Sequence, residues 1–176
     1  MLAEKYLRDE LNKFAKYVIQ QSRSNLTKGK KNASKELYNS LGYDVSQSAK
    51  ETSMAFKMAD YGDFVDKGVQ GKDKSIKAPN SPYKFGRKTG KKGGLTKGID
   101  KWVRRRGIQF RDKKGRFLSY EQTSFIITRS VYSTGIKASM FFTKPFERAF
   151  KRLPDDLVKA YSIGIEKQIQ INLKEK

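Results

Sequence analysis

Apolar residues recur every three or four positions near the start of the chain. Leu7, Leu11, Phe14, Ala15 and Val18 share one face of residues 2 to 24, with Lys5, Arg8, Asp9, Lys13 and Lys16 around the rest. That period predicts an amphipathic helix. The next stretch, NLTKGKKNASK, carries Gly29 and four lysines with almost no apolar content, and reads as a basic loop. From Leu41 the period falls to two. Leu41, Tyr43 and Val45 alternate with Gly42, Asp44 and Ser46; after the polar QSAKET, Met54, Phe56 and Met58 alternate with Ala55, Lys57 and Ala59. Two such runs around a polar connector predict a hairpin with one buried face. Its exit, ADYGDFVDKG, reads as a turn in which Gly62 and Gly68 supply backbone freedom while Phe64 and Val65 supply an apolar anchor.

Residues 69 to 98, rich in Lys, Gly, Ser and Pro, show no sustained period and predict a long basic loop, with 70 to 94 expected to order on assembly. Leu95, Ile99, Trp102 and Val103 return to helical spacing in LTKGIDKWVRRRG, closed by Gly107. FRDKKGRF reads as a turn. Ser119 with Gln122 forms a capping-box pair at the start of SYEQTSFIITRSVYST, with Ile127 and Val131 inward and Gly135 at its end. Ile136, Ala138, Met140 and Phe142 alternate as a third strand. Pro145 suits the first turn of a helix holding Phe146, Ala149 and Phe150; Pro154 interrupts it, and Asp155 and Asp156 open another through Leu157, Tyr161, Ile165 and Ile169. The expected fold is α+β: a small antiparallel sheet packed against an N-terminal and a C-terminal helix, with a long basic loop and two inserted helices, as one domain over residues 1 to 176. Three strands leave an open edge, to be filled from residues 69 to 85 or by a neighbouring subunit.

Composition narrows the chemistry. The 176 residues hold 36% hydrophobic and 32% charged side chains, which suits a modest core with solvated loops or intersubunit surfaces. Lys and Arg number 39 against 18 Asp and Glu, a net +21, so copies repel one another and polyanions are attracted. No run reaches the roughly 18 apolar residues of a membrane span, and the acid-containing N-terminus does not read as a signal sequence; the expectation is a protein made in a cytoplasm, with no membrane partner. The absence of Cys and His removes thiolate nucleophiles, thiolate or imidazole metal sites and Ser/His/Asp triads. A carboxylate-held magnesium site is the remaining enzymatic option, on Asp60, Asp63 and Asp66, three residues apart, with no glutamate or lysine at nuclease spacing beside them. GRKTGKKGG fails as a phosphate loop, because Gly86 and Gly90 are separated by three residues and no Ser or Thr follows the lysines. The expectation is therefore a non-enzyme without cofactor or metal.

Two short motifs carry a resemblance. Tyr61, Gly62, Asp63, Phe64, Val65, Asp66, Lys67 and Gly68 follow the hairpin, and Pro145, Phe146 and Ala149 open a helix after the third strand. With the N-terminal amphipathic helix, these resemble the tail-completion and head–tail joining proteins of tailed bacteriophages, over roughly residues 1 to 70 and 95 to 170. The first motif matches the family pattern of tyrosine, small residue, any, aromatic, valine, acid, any, glycine. The resemblance implies a structural virion protein in a homo-oligomeric ring of about six or twelve copies. That ring would lie at the neck, between portal and tail, around the channel by which DNA leaves. The basic loop at 70 to 94 is longer and more cationic than the family pattern.

Lys84, Arg87, Lys88, Lys91, Lys92, Arg104, Arg105, Arg106, Lys113 and Lys114 are the candidate contacts to acidic neighbours or to DNA. For the three arginines a helix C-terminus is an equal explanation, since cations there complement the helix dipole. The rival class is a basic nucleic-acid-binding architectural protein, with Tyr83, Phe85, Phe110 and Phe117 set among lysines and arginines where they can stack on bases.

Overall fold

The computed structural model describes residues 2–48, 51–73, 76–86 and 94–174. In chain order these form α1 (Leu2–Lys28), α2 (Glu36–Ser40), β1 (Gly42–Gln47), β2 (Thr52–Lys57), α3 (Gly62–Lys67), β3 (Val69–Gln70), α4 (Gly94–Arg106), α5 (Tyr120–Thr134), β4 (Gly135–Ile136), α6 (Thr143–Phe150) and α7 (Leu153–Lys174). The class is α+β. The chain divides into two compact units, one of Met1–Ala59 with Phe141–Lys176 and the other Asp60–Met140.

The first unit is built on α1. Leu11, Phe14 and Val18 are buried with Ala149 of α6 and Leu153 of α7, and Val45, Met54, Phe56, Phe142, Phe146 and Leu157 pack around them. The hairpin supplies its inner face as the period-two pattern requires: Tyr43 pairs with Phe56 and Val45 with Met54 in an antiparallel register running from Gly42–Lys57 to Gln47–Thr52. Its outward residues Asp44, Ser46, Ser53, Ala55 and Lys57 are exposed. Four phenylalanines interlock at the junction. Phe14 meets Phe56 and Phe146 edge-on, with ring centroids 6.2 and 5.7 Å apart, and Phe56 meets Phe142 edge-on at 5.2 Å. Such geometry places ring edges against ring faces, each pair contributing about 0.5–1.5 kcal/mol beyond area burial.

Helix α1 runs further than its first apolar stripe suggests. Residues 25 to 28, expected in the basic loop, are helical because the buried face continues through Ser22 to Leu26, both fully buried. Asn25 donates from its side chain to the Phe141 carbonyl at 3.2 Å. The amides of Gly29 and Lys31 then close the end on the Asn25 and Leu26 carbonyls. The short helix α2 was not expected from the sequence; Arg23 holds its exit by donating to the Tyr38 and Leu41 carbonyls at 3.2 and 3.0 Å. At the other end of α1, Gly164 of α7 sits against Ala3 so closely that a Cβ would collide with the Ala3 backbone.

The second unit has less apolar burial. Its buried hydrophobic residues are Val69, Ala78 and Val103, alongside buried Asp66, Ser81, Thr123 and Ser124. The two-residue strands β3 and β4 pair antiparallel, Val69 with Ile136 and Gln70 with Gly135. This corrects two expectations. The third strand expected over Ile136 to Phe142 stops at Ile136 and pairs with β3 rather than the hairpin. Met140 adopts a left-handed φ of 51°, which ends any extended run, and Phe141 is 1% exposed at the start of a turn. Residues 69 to 85 do supply a strand, but to this second sheet.

Within the loop after β3, residues 81 to 85 are tied to Gln70 by hydrogen bonds. Gln70 donates its backbone N–H to the Tyr83 carbonyl at 2.7 Å and accepts from Phe85 at 3.0 Å, while its side-chain amide reaches the Ser81 carbonyl at 2.6 Å. Residues 87 to 93 lie outside the described residues. The two inserted helices are as expected: Gly107 ends α4 at a φ of 62°, and Ser119 and Gln122 form the reciprocal capping box of α5. Ile127 and Val131 are half-buried on α5, whereas Thr123 and Ser124 are its fully buried pair.

Two substitutions test these cores separately. Phe14→Ala removes the buried ring of the four-phenylalanine junction and is expected to cost about 3–5 kcal/mol, read as a lowered denaturation midpoint. Gly68→Ala places a Cβ 2.5 Å from the Ile136 carbonyl oxygen and 2.6 Å from the Ala138 amide, at a backbone φ of 74°. Its expected cost is about 1–3 kcal/mol, with faster amide exchange within residues 60 to 140.

Candidate functional site

The hairpin-exit motif is a short helix with a glycine exit rather than a plain turn. Gly62 to Lys67 form α3, and Gly68 turns the chain at positive φ into β3. A helix this short leaves most of its carbonyls unpaired. Here the neighbouring segment caps them: Ser139 donates its amide to the Val65 carbonyl at 3.2 Å and its hydroxyl to the same oxygen at 2.6 Å, and the Met140 amide donates to Asp66 at 2.9 Å. Ser81 donates its hydroxyl to the Gly68 carbonyl at 2.7 Å.

The acids of the motif separate into different roles. Asp60 and Asp63 are exposed, and Asp63 pairs with Lys67 at 3.7 Å. Asp66 is 2% exposed, so it is a structural acid rather than one presented to a cationic neighbour. Among the described residues no group of three or more acids is placed to hold a metal ion. Phe64 is 43% exposed and lies edge-on to Tyr83 at 4.5 Å, so it covers the 78–85 segment rather than wedging into a deep core. Tyr61 and Val65 are half-buried and Gly62 is buried. In the first unit, Pro145 and Ala149 are buried and Phe146 belongs to the aromatic junction, so the second motif is a packing element.

The basic candidates fall into three groups. Arg87, Lys88, Lys91 and Lys92 lie outside the described residues. Lys84 makes an isolated parallel bridge to Gln70 through its backbone, with its side chain exposed. Arg104, Arg105 and Arg106 end α4, and Lys113 and Lys114 lie on the nearby 110–118 turn.

Arg104 is committed to structure. Its Nε donates to Asp100 at 2.9 Å, its guanidinium lies 3.8 Å from Glu121, and it stacks 5.4 Å from the Tyr120 ring centroid. The Arg104 hydrogen bond holds the Asp100 carboxyl below its usual range, and the same bond raises the Arg104 guanidinium. Ser124 reaches the other Asp100 oxygen at 3.1 Å, linking α5 to α4. The side chains of Arg105, Lys113 and Lys114 are exposed.

The 110–118 turn is organised by Asp112, which the sequence analysis passed over. Its Oδ1 accepts from the amides of Lys114 at 2.8 Å and Arg116 at 2.9 Å, and its Oδ2 from Arg116 Nε at 2.9 Å. The readable signal was DKKG itself, with Asp at the first and Gly at the fourth position of a turn. Arg111 and Phe117 face each other across the ladder, the guanidinium 4.2 Å from the ring centroid. Phe117 is 63% exposed and Phe110 39%, so the tip presents aromatic surface beside several cations. Thr123, fully buried, accepts the Phe110 amide at 3.2 Å and ties the turn to α5.

No protein-family model matches the chain, and no curated protein or solved structure matches it either. No helix among the described residues is long and apolar enough to cross a membrane.

The Asp112 geometry sets a pH dependence. The Arg116 and Lys114 amides and the Arg116 side chain favour the carboxylate and depress its folded pKa. A depressed carboxylate pKa stabilises the fold above the unfolded value, about 3.9, and that contribution disappears as pH falls through the lower folded value. The Lys114 and Arg116 amide resonances are expected to move together in that acid window. Asp112→Asn should remove the titration and leave the Asp100 region unchanged.

Proposed function

We propose that the chain is a structural subunit of a tailed-phage neck, assembling into a ring that joins portal to tail around the DNA exit channel. The observation that carries the assembly half of this reading is large apolar side chains left uncovered on well-formed helices. Phe125 and Ile126 on α5 are 63% and 45% exposed, and Val158, Tyr161, Ile165 and Ile169 on α7 are exposed as well. Exposed apolar side chains of this size on a strongly charged chain favour burial against another protein. The neck half rests on the resemblance carried by Tyr61 to Gly68 and by Pro145, Phe146 and Ala149. Those residues hold α3 to β3 and α6 to α1, roles a structural subunit needs.

A non-enzymatic role agrees with the placement of the acids. Asp66 is buried, Asp63 is engaged with Lys67, and neither is arranged for general acid–base work. The net +21 is met on assembly by acidic neighbours, with weak contact to DNA in passing. Assembly in a host cytoplasm and residence in the virion follow from this reading.

One observation favours a second reading, a basic nucleic-acid-binding protein: the exposed Phe117 with Arg111 against its ring, flanked by Lys113 and Lys114. Aromatic faces among cations suit unpaired bases. The two readings separate by experiment. The neck subunit is expected to form rings or to bind the portal protein of the same genome, as read by mass and by electron microscopy, with little affinity for DNA. DNA binding by single chains with a log–log salt slope of about 0.9 per phosphate, and no portal binding, would establish the second reading.

A further inference from the structure

The outer face of α7 is apolar over three turns and faces away from its own core. At about 100° per residue, Val158, Tyr161, Ile165 and Ile169 lie within roughly 80° of arc, about 16 Å long. They are 67%, 47%, 40% and 54% exposed. Leu153, Ala160 and Gly164, all buried, centre about 120° around the helix from the stripe. One face of this helix is thus used within the chain, while the stripe stays exposed among the described residues, as do Ile163 and Ile171 elsewhere on the helix.

The charges flanking the outer stripe are unusual for this molecule. On a chain with a net +21, the charged residues nearest the stripe are Asp155, Lys159 and Glu166, two acids and one lysine. Lys159 and Glu166 are seven residues apart and so lie on the same flank, roughly 60–80° beyond Ile169 at the edge of the stripe. Two helices related antiparallel by a two-fold axis bring each flank against the same flank of the partner. With the axis between Tyr161 and Ile165, Tyr161 of one copy meets Ile165 of the other, while Val158 and Lys159 come level to within about 1.5 Å, one residue's rise, with Ile169 and Glu166. The ion pair occurs twice, once on each side of the axis. The same register that buries the apolar stripe therefore pairs Lys159 with Glu166, and leaves Asp155 at the end of the contact.

We propose that this face of α7 is a self-complementary interface for a second copy of the chain, docked antiparallel about a two-fold axis. The neck reading also counts this stripe among the surface buried on assembly; the occupant and the register inferred here rest on the stripe and its flanking charges alone. Elsewhere the basic surface opposes self-association through like-charge repulsion, whereas this strip pairs opposite charges. One helical stripe of this length buries less than the roughly 1,200–2,000 Å² of a standard interface, so the association is weak and reversible.

Sedimentation equilibrium of the full chain over a concentration series tests this. The expected result is a concentration-dependent approach to twice the chain mass, abolished by Ile165→Asp. Lys159→Glu alone and Glu166→Lys alone each set like charges against each other and are expected to weaken association about tenfold. The double reversal is expected to restore it to within about threefold, since it re-forms both pairs with opposite polarity. These side chains are exposed, so the helical circular dichroism of each variant should match the parent, and Ile165→Ser serves where the aspartate variant does not fold. A single-chain mass throughout the series, including one produced by the same chain folding back onto the stripe, overturns the proposal. So does association indifferent to Ile165, or single reversals that the double reversal does not rescue. Loss of portal binding in any variant tests the neck reading and leaves the dimer result standing.

Discussion

The junction of Phe14, Phe56, Phe142 and Phe146 is the contact on which the first unit depends. Phe14 comes from α1, Phe56 from β2, Phe142 from the entry to α6, and Phe146 from within it. A two-stranded hairpin is marginal by itself in water. It persists here because its apolar face closes over rings supplied from both ends of the chain. The buried Pro145 and Ala149 make room for that closure, and Leu153 carries it into α7. Without the returning C-terminal segment, α1 and the hairpin would expose the side chains that give them their pattern.

The second unit follows a different logic. With little apolar burial, it relies on backbone and hydroxyl pairing: Ser139 and Met140 cap α3, Ser81 holds Gly68, Gln70 gathers the 78–85 segment, and Thr123 and Ser124 tie α5 to its neighbours. Buried polar groups satisfied in this way confer a definite geometry even where apolar area is scarce. This also accounts for a composition that looks too polar for a chain of this length. The apolar residues missing from a large core are spent on two modest ones and on the outer faces of α5 and α7. Those outer faces are the surface that the proposed assembly would bury, and the stripe on α7 has two acids and one lysine beside it on a chain of net +21.

Much of the architecture was legible in the sequence because it rests on local periodicity. The period-two alternation at Leu41–Val45 and Met54–Met58 gave the hairpin and its inner face. Helix spacing gave α1, α4, α5, α6 and α7, and Ser119 with Gln122 marked the start of α5. The failures share a cause. Ile136 to Phe142 alternates as a strand would, yet the left-handed Met140 and the buried Phe141 turn it out of extension. Residues 25 to 28 look like a lysine-rich loop, but Leu26 has a buried place to occupy and the helix continues to it. Tyr161, Ile165 and Ile169 repeat as a core face would, and the structure turns them outward. Of the candidate contacts, Arg104 is taken by Asp100 and Glu121, a pairing across two helices that one-dimensional spacing only half reveals.

By itself the sequence determined the kinds of elements, the sign of the surface and the chemistry that Cys and His would have supplied, because these follow from residue type and short-range spacing. Only the tertiary structure decided which apolar stripes were used. Leu11, Phe14 and Val18 are buried because the C-terminal segment returns to cover them, while Val158, Tyr161, Ile165 and Ile169, equally regular, stay 40–67% exposed among the described residues. It also decided the standing of the acids in ADYGDFVDKG, burying Asp66 while leaving Asp60 and Asp63 outside. The physical reason is common to both cases. Periodicity fixes which side chains share a face, but burial is a property of what lies opposite that face, and that partner is set by long-range closure.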